Sequence, residues 1–125
     1  MNICLIDDDE VINTVHSAVI KGVAPNAEIR IFRSGAQFIQ CLKNGELQSF
    51  IPDVIFLDIR MPELDGFGVL DELDKFDPKE LNHAVVYVLS STLDERDLKR
   101  ANEHKRVSSF IGKPLMFDQM RQLIG

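Results

Sequence analysis

Along the chain, five short apolar runs alternate with five segments of helical periodicity. Residues 2–6, 54–57 and 85–89 are almost continuously apolar, the pattern of strands buried on both faces of a parallel sheet. Residues 27–32 alternate instead, with Glu28 and Arg30 set between Ile29 and Ile31, which predicts an edge strand. Residues 107–111 are short and mixed and predict the opposite edge. Between these runs, Val11, Val15 and Val19 recur every four residues, flanked by Ile12 and Val23, and predict the first helix and its inward stripe. Ser34-Gly35-Ala36-Gln37 has capping-box form and opens a second helix that Asn44-Gly45 closes. Phe67, Leu70 and Leu73 line a third. Thr92-Leu93-Asp94-Glu95 reads as another capping box, and the charged helix after it, to about Glu103, should face water. Phe117, Met120 and Ile124 mark a short last helix. Strands and helices in regular alternation imply right-handed crossovers and a doubly wound α/β sandwich.

Composition narrows the class without changing this picture. The 125 residues suffice for one domain, 1–125, that buries roughly two-thirds of its unfolded surface. A net charge of −6 argues against duplex nucleic acid or an anionic membrane as a direct partner. No apolar run reaches membrane-spanning length, and no basic region precedes an apolar stretch at the N-terminus, so the expectation is a cytoplasmic domain. Cys4 and Cys41 lack zinc-ligand spacing and read as small buried thiols.

In open α/β sheets, ligands bind outside the carboxyl ends of the strands. The first strand runs into Asp7-Asp8-Asp9, the third into Asp58, the fourth into Ser90-Ser91 and the fifth into Lys113-Pro114. Carboxylates, hydroxyls and an ammonium are thereby brought to one rim. Hard divalent cations take carboxylate oxygens, and Mg²⁺ in addition keeps waters and takes a phosphate oxygen. The remaining phosphoryl oxygens require a cation and a hydroxyl donor. Taken singly, each residue has a plainer role: an aspartate at a strand–helix junction is a helix cap, a serine caps the next helix, and a lysine is solvated. Capping needs only one of three clustered carboxylates, and the convergence reads as a Mg²⁺-dependent phosphoryl site, with Mn²⁺ as the substitute ion.

With those residues in place, the chain resembles the receiver domain of two-component response regulators over nearly its full length. Asp7 and Asp8 stand at that family's acidic pair. The run Asp58-Ile59-Arg60-Met61-Pro62-Glu63-Leu64-Asp65-Gly66 is similar to its acceptor loop, in which Met-Pro and Asp-Gly follow the acceptor, so Pro62 and Gly66 are structural. Ser90 falls on the hydroxyl position and Lys113-Pro114 on the Lys-Pro pair, where a cis bond at Pro114 is expected. The resemblance implies a flavodoxin-like (βα)5 sandwich with strand order 2-1-3-4-5. It further implies that Asp58 is the phosphoryl acceptor. Asp8, Asp58 and the Arg60 backbone carbonyl would hold the metal directly, and Asp7 through water. Lys113 would pair with Asp58 at rest and with a phosphoryl oxygen afterwards; Ser90 and Ser91 would bind the phosphoryl group. Ser90 and Phe110 would form the switch, and Arg60 and Thr92 would tune the lifetime of the acyl phosphate. The implied partners are a sensor histidine kinase or histidine phosphotransfer protein as donor, and a downstream protein on the surface of the fourth helix, fifth strand and fifth helix, with homodimerisation on phosphorylation left open. The implied role is a signalling phosphoacceptor and not an enzyme acting on a separate substrate. No output domain follows, so the chain is either stand-alone or excised from a longer protein.

Three departures from the family pattern stand out: Arg106 where a glycine is usual, Gly112 where an aliphatic residue precedes the lysine, and Gly68 inside a helix. Lys99, Arg100, Lys105 and Arg106 form a local basic cluster, read either as solvated surface or as a dock for an acidic partner. Two other function classes stay open. Asp7-Asp8-Asp9-Glu10-Val11 fits the Asp-x-Asp-x-Val signature of haloacid-dehalogenase-type phosphohydrolases, with Asp7 as nucleophile and Asp9 as acid/base. That reading leaves Asp58 and its loop unexplained, and it needs a further acidic pair after the lysine. A binding module that has lost phosphorylation predicts damage to the acidic pair, acceptor or lysine, and all are intact. A dinucleotide-binding domain is excluded for lack of a Gly-rich phosphate loop.

Overall fold

The computed structural model describes residues 1–125, and its elements alternate in the expected order. They are β1 (Asn2–Ile6), α1 (Glu10–Val23), β2 (Glu28–Phe32), α2 (Gly35–Lys43), β3 (Val54–Asp58), α3 (Gly66–Phe76), β4 (Val85–Ser90), α4 (Glu95–Asn102), β5 (Val107–Gly112) and α5 (Phe117–Ile124), with a 3₁₀ turn at Lys79–Leu81. The five strands form one parallel sheet in the order β2-β1-β3-β4-β5. The 27–32 and 107–111 segments are its edges, as their weaker apolar character predicts.

Alternate residues of the central strands feed two cores, as the two-residue period of a strand demands. Ile3, Leu5, Val54 and Phe56 pack with Ile20 of α1 and Met120 and Ile124 of α5. Cys4, Ile6, Ile55 and Leu57 pack on the other face with Phe38, Ile39 and Leu42 of α2 and Val69, Leu70 and Leu73 of α3. Both faces of β1 and β3 are therefore dry, which is why those strands are near-continuous apolar runs. Both cysteines are free thiols, and burial pushes that of Cys4 up to about 12, so it behaves as a core residue.

Three local expectations are corrected. The buried residues of α1 are Asn13, His16 and Ile20, whereas Val11 is 70% exposed. Val19 and Val23 of the stripe are half-buried and pack against the core, but the most buried face is shifted toward Asn13 and His16, which have buried partners. Asn13 Nδ2 donates to the Asp7 carbonyl at 2.9 Å, and His16 Nε2 accepts from the Leu115 N–H at 2.9 Å. Burial holds the His16 imidazole below its usual pKa, which keeps it the neutral acceptor this bond requires. The cap of α4 is Asp94 and not Thr92, its carboxylate accepting from Arg96 N at 2.8 Å. In α5, Met120 and Ile124 are buried but Phe117 is 43% exposed. The Ser34 cap is present, accepting from Gln37 N at 3.0 Å, while the Gln37 side chain reaches back one residue further than a capping box, to Arg33 N.

Gly66 opens α3 where a side chain has no space. A Cβ there would lie 2.7 Å from both the Asp58 carbonyl oxygen and the Ile59 Cα, backbone atoms that cannot turn aside. Gly22 is a different case, since its Cβ would meet only the Phe117 ring, at 3.3 Å. Gly66→Ala is expected to lower unfolding free energy by about 1–3 kcal/mol through overpacking. Gly22→Ala should be neutral or stabilising by up to about 1 kcal/mol through helix propensity. Urea unfolding of the two variants checks the contrast; equal effects would contradict it.

Candidate functional site

The site is assembled where β1, β3, β4 and β5 end. Asp7 continues β1 by one residue, its N–H bonded to the Phe32 carbonyl at 3.0 Å, and this carries its side chain below the surface, 4% exposed. The next two aspartates diverge. Asp8 is exposed on the rim. Asp9 caps α1, its Oδ1 accepting from Val11 N at 2.9 Å and Ile12 N at 3.3 Å. A carboxylate spent on two helix N–H groups is poorly placed for acid/base work, which removes the support for the hydrolase reading at that residue.

Asp58 is the last residue of β3 and is 1% exposed. Its Oδ1 accepts from Arg60 N at 3.2 Å. From β5, Lys113 reaches past the end of β4 to place Nζ 2.8 Å from Asp7 Oδ2 and 3.2 Å from Asp58 Oδ2. The Lys113–Pro114 peptide is cis, as the sequence led one to expect. Ser90 lies between, fully buried at the end of β4; its carbonyl accepts from Lys113 N at 2.9 Å and its Oγ from Thr92 N at 3.2 Å. Ser91 and Thr92 are exposed on the same rim. The Arg60 side chain leaves the acidic centre and pairs with Asp97 on α4. Phe110, half-buried on β5, packs against the larger core cluster. Pro62 lies exposed in the loop after β3, in which Glu63 takes a left-handed conformation at φ 67°. Asp65 closes that loop by capping α3, accepting from Gly68 N at 2.8 Å.

The electrostatics follow from burial. Asp58 is pushed up to about 6, first by loss of water and then by the Asp7 charge, with Lys113 and the Arg60 N–H only partly offsetting this. Burial alone would lower the Lys113 pKa, but the hydrogen bond to Asp7 and the charges of Asp58 and Asp7 raise it overall, so the ammonium is firmly held. One cation thus faces three carboxylates. Asp7, Asp8 and Asp58 bring ligand oxygens within 4.8 Å of one another. An all-oxygen set that carries excess negative charge and is open on the Asp8 side fits Mg²⁺ or Mn²⁺.

The sequence did not point to Asn13, His16 or Asp97. Asn13 and His16 lie one helical turn apart, just after the acidic cluster, and polar residues at that spacing on an otherwise apolar helix were the available signal. Asp97 offered none, since its partner lies 37 residues away.

The family model for the response regulator receiver domain matches residues 3–125. A protein-glutamate methylesterase/protein-glutamine glutaminase of Rhodospirillum rubrum is 33% identical over 88% of this chain and 27% of its own length. The chain spans between 19% and 50% of the length of five curated relatives, that protein included. Among solved structures, a two-component response regulator from Cytophaga hutchinsonii superposes with a TM-score of 0.87 at 29% identity, covering 98% of this chain and 92% of that one. The Mn²⁺-bound form of response regulator Rcp1 superposes at 0.79 with 25% identity, covering 98% and 90%. With residues 3–125 matched by that family model and the five-stranded sheet superposing on such structures, the chain belongs to the response regulator receiver domains of two-component signalling.

Proposed function

We propose that Asp58 accepts a phosphoryl group from a phosphohistidine of a partner kinase or phosphotransfer protein, or from a small acyl phosphate. The observation that carries this reading is the buried Asp58 carboxylate, bridged by Lys113 to Asp7 at the open end of the sheet. An Asp58 oxygen attacks phosphorus; the P–N bond of the donor histidine, or the P–O bond of the acyl phosphate, breaks as the new P–O bond forms. The leaving imidazole takes up a proton, whereas a leaving carboxylate needs none. Asp8, Asp58 and the Arg60 carbonyl would hold Mg²⁺ or Mn²⁺, with Asp7 behind them, and the ion's charge offsets repulsion between two anionic reactants.

The chain's own groups do the rest. Lys113, already 3.2 Å from Asp58, supplies a fixed ammonium for a phosphoryl oxygen. Ser90 Oγ exchanges its bond from Thr92 N for one to another phosphoryl oxygen, and Ser91 borders the same space. That movement vacates volume beside β5 into which Phe110 can turn, altering the surface of α4, β5 and α5 that a downstream protein or a second copy would read. Thr92, and Arg60 once it turns back from Asp97, would control the approach of water to the acyl phosphate.

Incubated with acetyl phosphate and Mg²⁺, the protein is expected to gain one phosphoryl group by intact mass, and Asp58→Asn none. Continuous phosphate release that survives Asp58→Asn and is lost in Asp7→Asn would favour a hydrolase instead.

The raised Asp58 pKa has a consequence for stability. An unfolded aspartate ionises near 3.8 and the folded one at about 6, so the folded state is burdened by ionisation above pH 6 and not below pH 4. At 1.36 kcal/mol per unit, the burden is about 3 kcal/mol at most. In metal-free buffer at pH 7.5, Asp58→Asn is therefore expected to melt above the wild type, with the gain disappearing by pH 4. A lower melting temperature at pH 7.5 would contradict this assignment.

A further inference from the structure

We infer that Asp97 is a positioning residue: paired with Arg60, it latches α4 to the loop that carries Asp58, and it gives up Arg60 when a phosphoryl group arrives. The inference rests on the proposal that Asp58 is the acceptor, and it names the contact through which chemistry at Asp58 reaches α4.

The starting point is how little apolar surface holds α4 down. Of its eight residues only Ala101 is buried, and Leu98 is 40% exposed. Polar tethers hold the rest. In the first half, Asp97 binds the Arg60 guanidinium; its side chain is 13% exposed while that of Arg60 is 57% exposed. In the second half, the Arg100 guanidinium lies 4.2 Å from the centroid of the Phe67 ring on α3. Just beyond the helix, Arg106 pairs with Asp77 and lies 3.5 Å from Asp74. α4 is thus docked mainly by charge, and its N-terminal tether ends on a residue two positions from the acceptor.

Two features make that tether a switch and not a brace. A half-exposed ion pair contributes only about 0.2–1 kcal/mol, so it is easily displaced. A phosphoryl group on Asp58 brings close to two negative charges and several acceptor oxygens to the residue whose side chain oxygen already accepts from the Arg60 backbone N–H. For a planar guanidinium, such a group is a stronger partner than the single Asp97 carboxylate. Arg60 moves to the phosphoryl group, Asp97 is left unpaired, and the first half of α4 loses its anchor. Before phosphorylation, the same pair keeps Arg60 away from an incoming anionic donor, so Asp97 also slows the reaction.

Hydrogen exchange of the peptide covering Glu95–Asn102, measured on the whole chain, tests the latch. Unphosphorylated Asp97→Asn and Arg60→Ala should each exchange this segment about 1.4- to fivefold faster than wild type, the range a pair of this strength sets. The double variant should be no faster than either single one. Asp97→Asn also removes a favourable charge from the first turn of α4, so agreement with Arg60→Ala, which leaves α4 untouched, is essential. Strands β1 and β3 must keep their protection, which separates a released helix from a globally weakened fold. With acetyl phosphate and Mg²⁺, wild-type α4 should rise to the level of the variants, and either single variant should rise less than wild type does. Asp97→Asn should also take up phosphate faster than wild type, a gain that vanishes in Arg60→Ala/Asp97→Asn. Wild-type exchange in the single variants, additive effects in the double variant, or a rate gain that persists without Arg60 would each overturn the latch. Failure of the wild type to form any adduct would overturn the acceptor reading and phosphoryl-driven release with it, while the unphosphorylated comparisons still decide whether Asp97 tethers α4.

Discussion

Much of this molecule is arranged around one buried ammonium held between two buried carboxylates. Lys113 departs from the edge strand β5, yet it must reach Asp58 on β3 and Asp7 on β1, with β4 in the way. It can do so because β4 ends in Ser90, a small side chain with no exposed surface, whose carbonyl also fixes the Lys113 N–H. Gly66 lets the loop after β3 fold back against the Asp58 backbone. On the other side, Asn13 and His16 tie α1 to the Asp7 carbonyl and to the backbone after Pro114. Remove the need to hold Asp7, Asp58 and Lys113 together, and these choices have no common reason.

The arrangement is under-neutralised by design of its residues. Burial and the Asp7 charge work against ionised Asp58, and one lysine does not fully offset them. With Asp8 adding a third acid at the rim, the centre offers open oxygen ligands of the kind a divalent cation takes. An environment that makes ionised Asp58 costly in isolation is also one in which added positive charge has most effect, because little water screens it.

The fold was legible because the two cores leave no wet face on β1 and β3, so their sequences are unbroken apolar runs. The site was legible because three of the runs are followed at once by Asp7, Asp58 or Ser90 and the fifth, after one glycine, by Lys113, and the topology sends those ends to one rim. What escaped was the detail of helix faces, caps and surface pairs. The valines of α1 have the right period, but buried partners for Asn13 and His16 turn the helix so that Val11 faces water. Thr92 and Asp94 are both competent caps, and because α4 begins at Glu95 it is Asp94 that caps it. The unusual Arg106 is accommodated by Asp74 and Asp77 from the end of α3, and a Cβ added at Gly112 would meet only the Leu93 side chain, at an ordinary contact distance of 3.5 Å. The basic cluster divides accordingly: Arg100 and Arg106 are engaged within the chain, whereas Lys99 and Lys105 are exposed.

The central claim is that Asp58, and none of the aspartates beside it, takes the phosphoryl group. Reduction with borohydride converts an aspartyl phosphate into homoserine, which marks the modified position permanently. Peptide mass spectrometry after treatment with acetyl phosphate and borohydride should find homoserine at position 58 alone, and only when Mg²⁺ is present. Homoserine at position 7 or 8, or labelling at position 58 that is indifferent to the metal, would contradict the account.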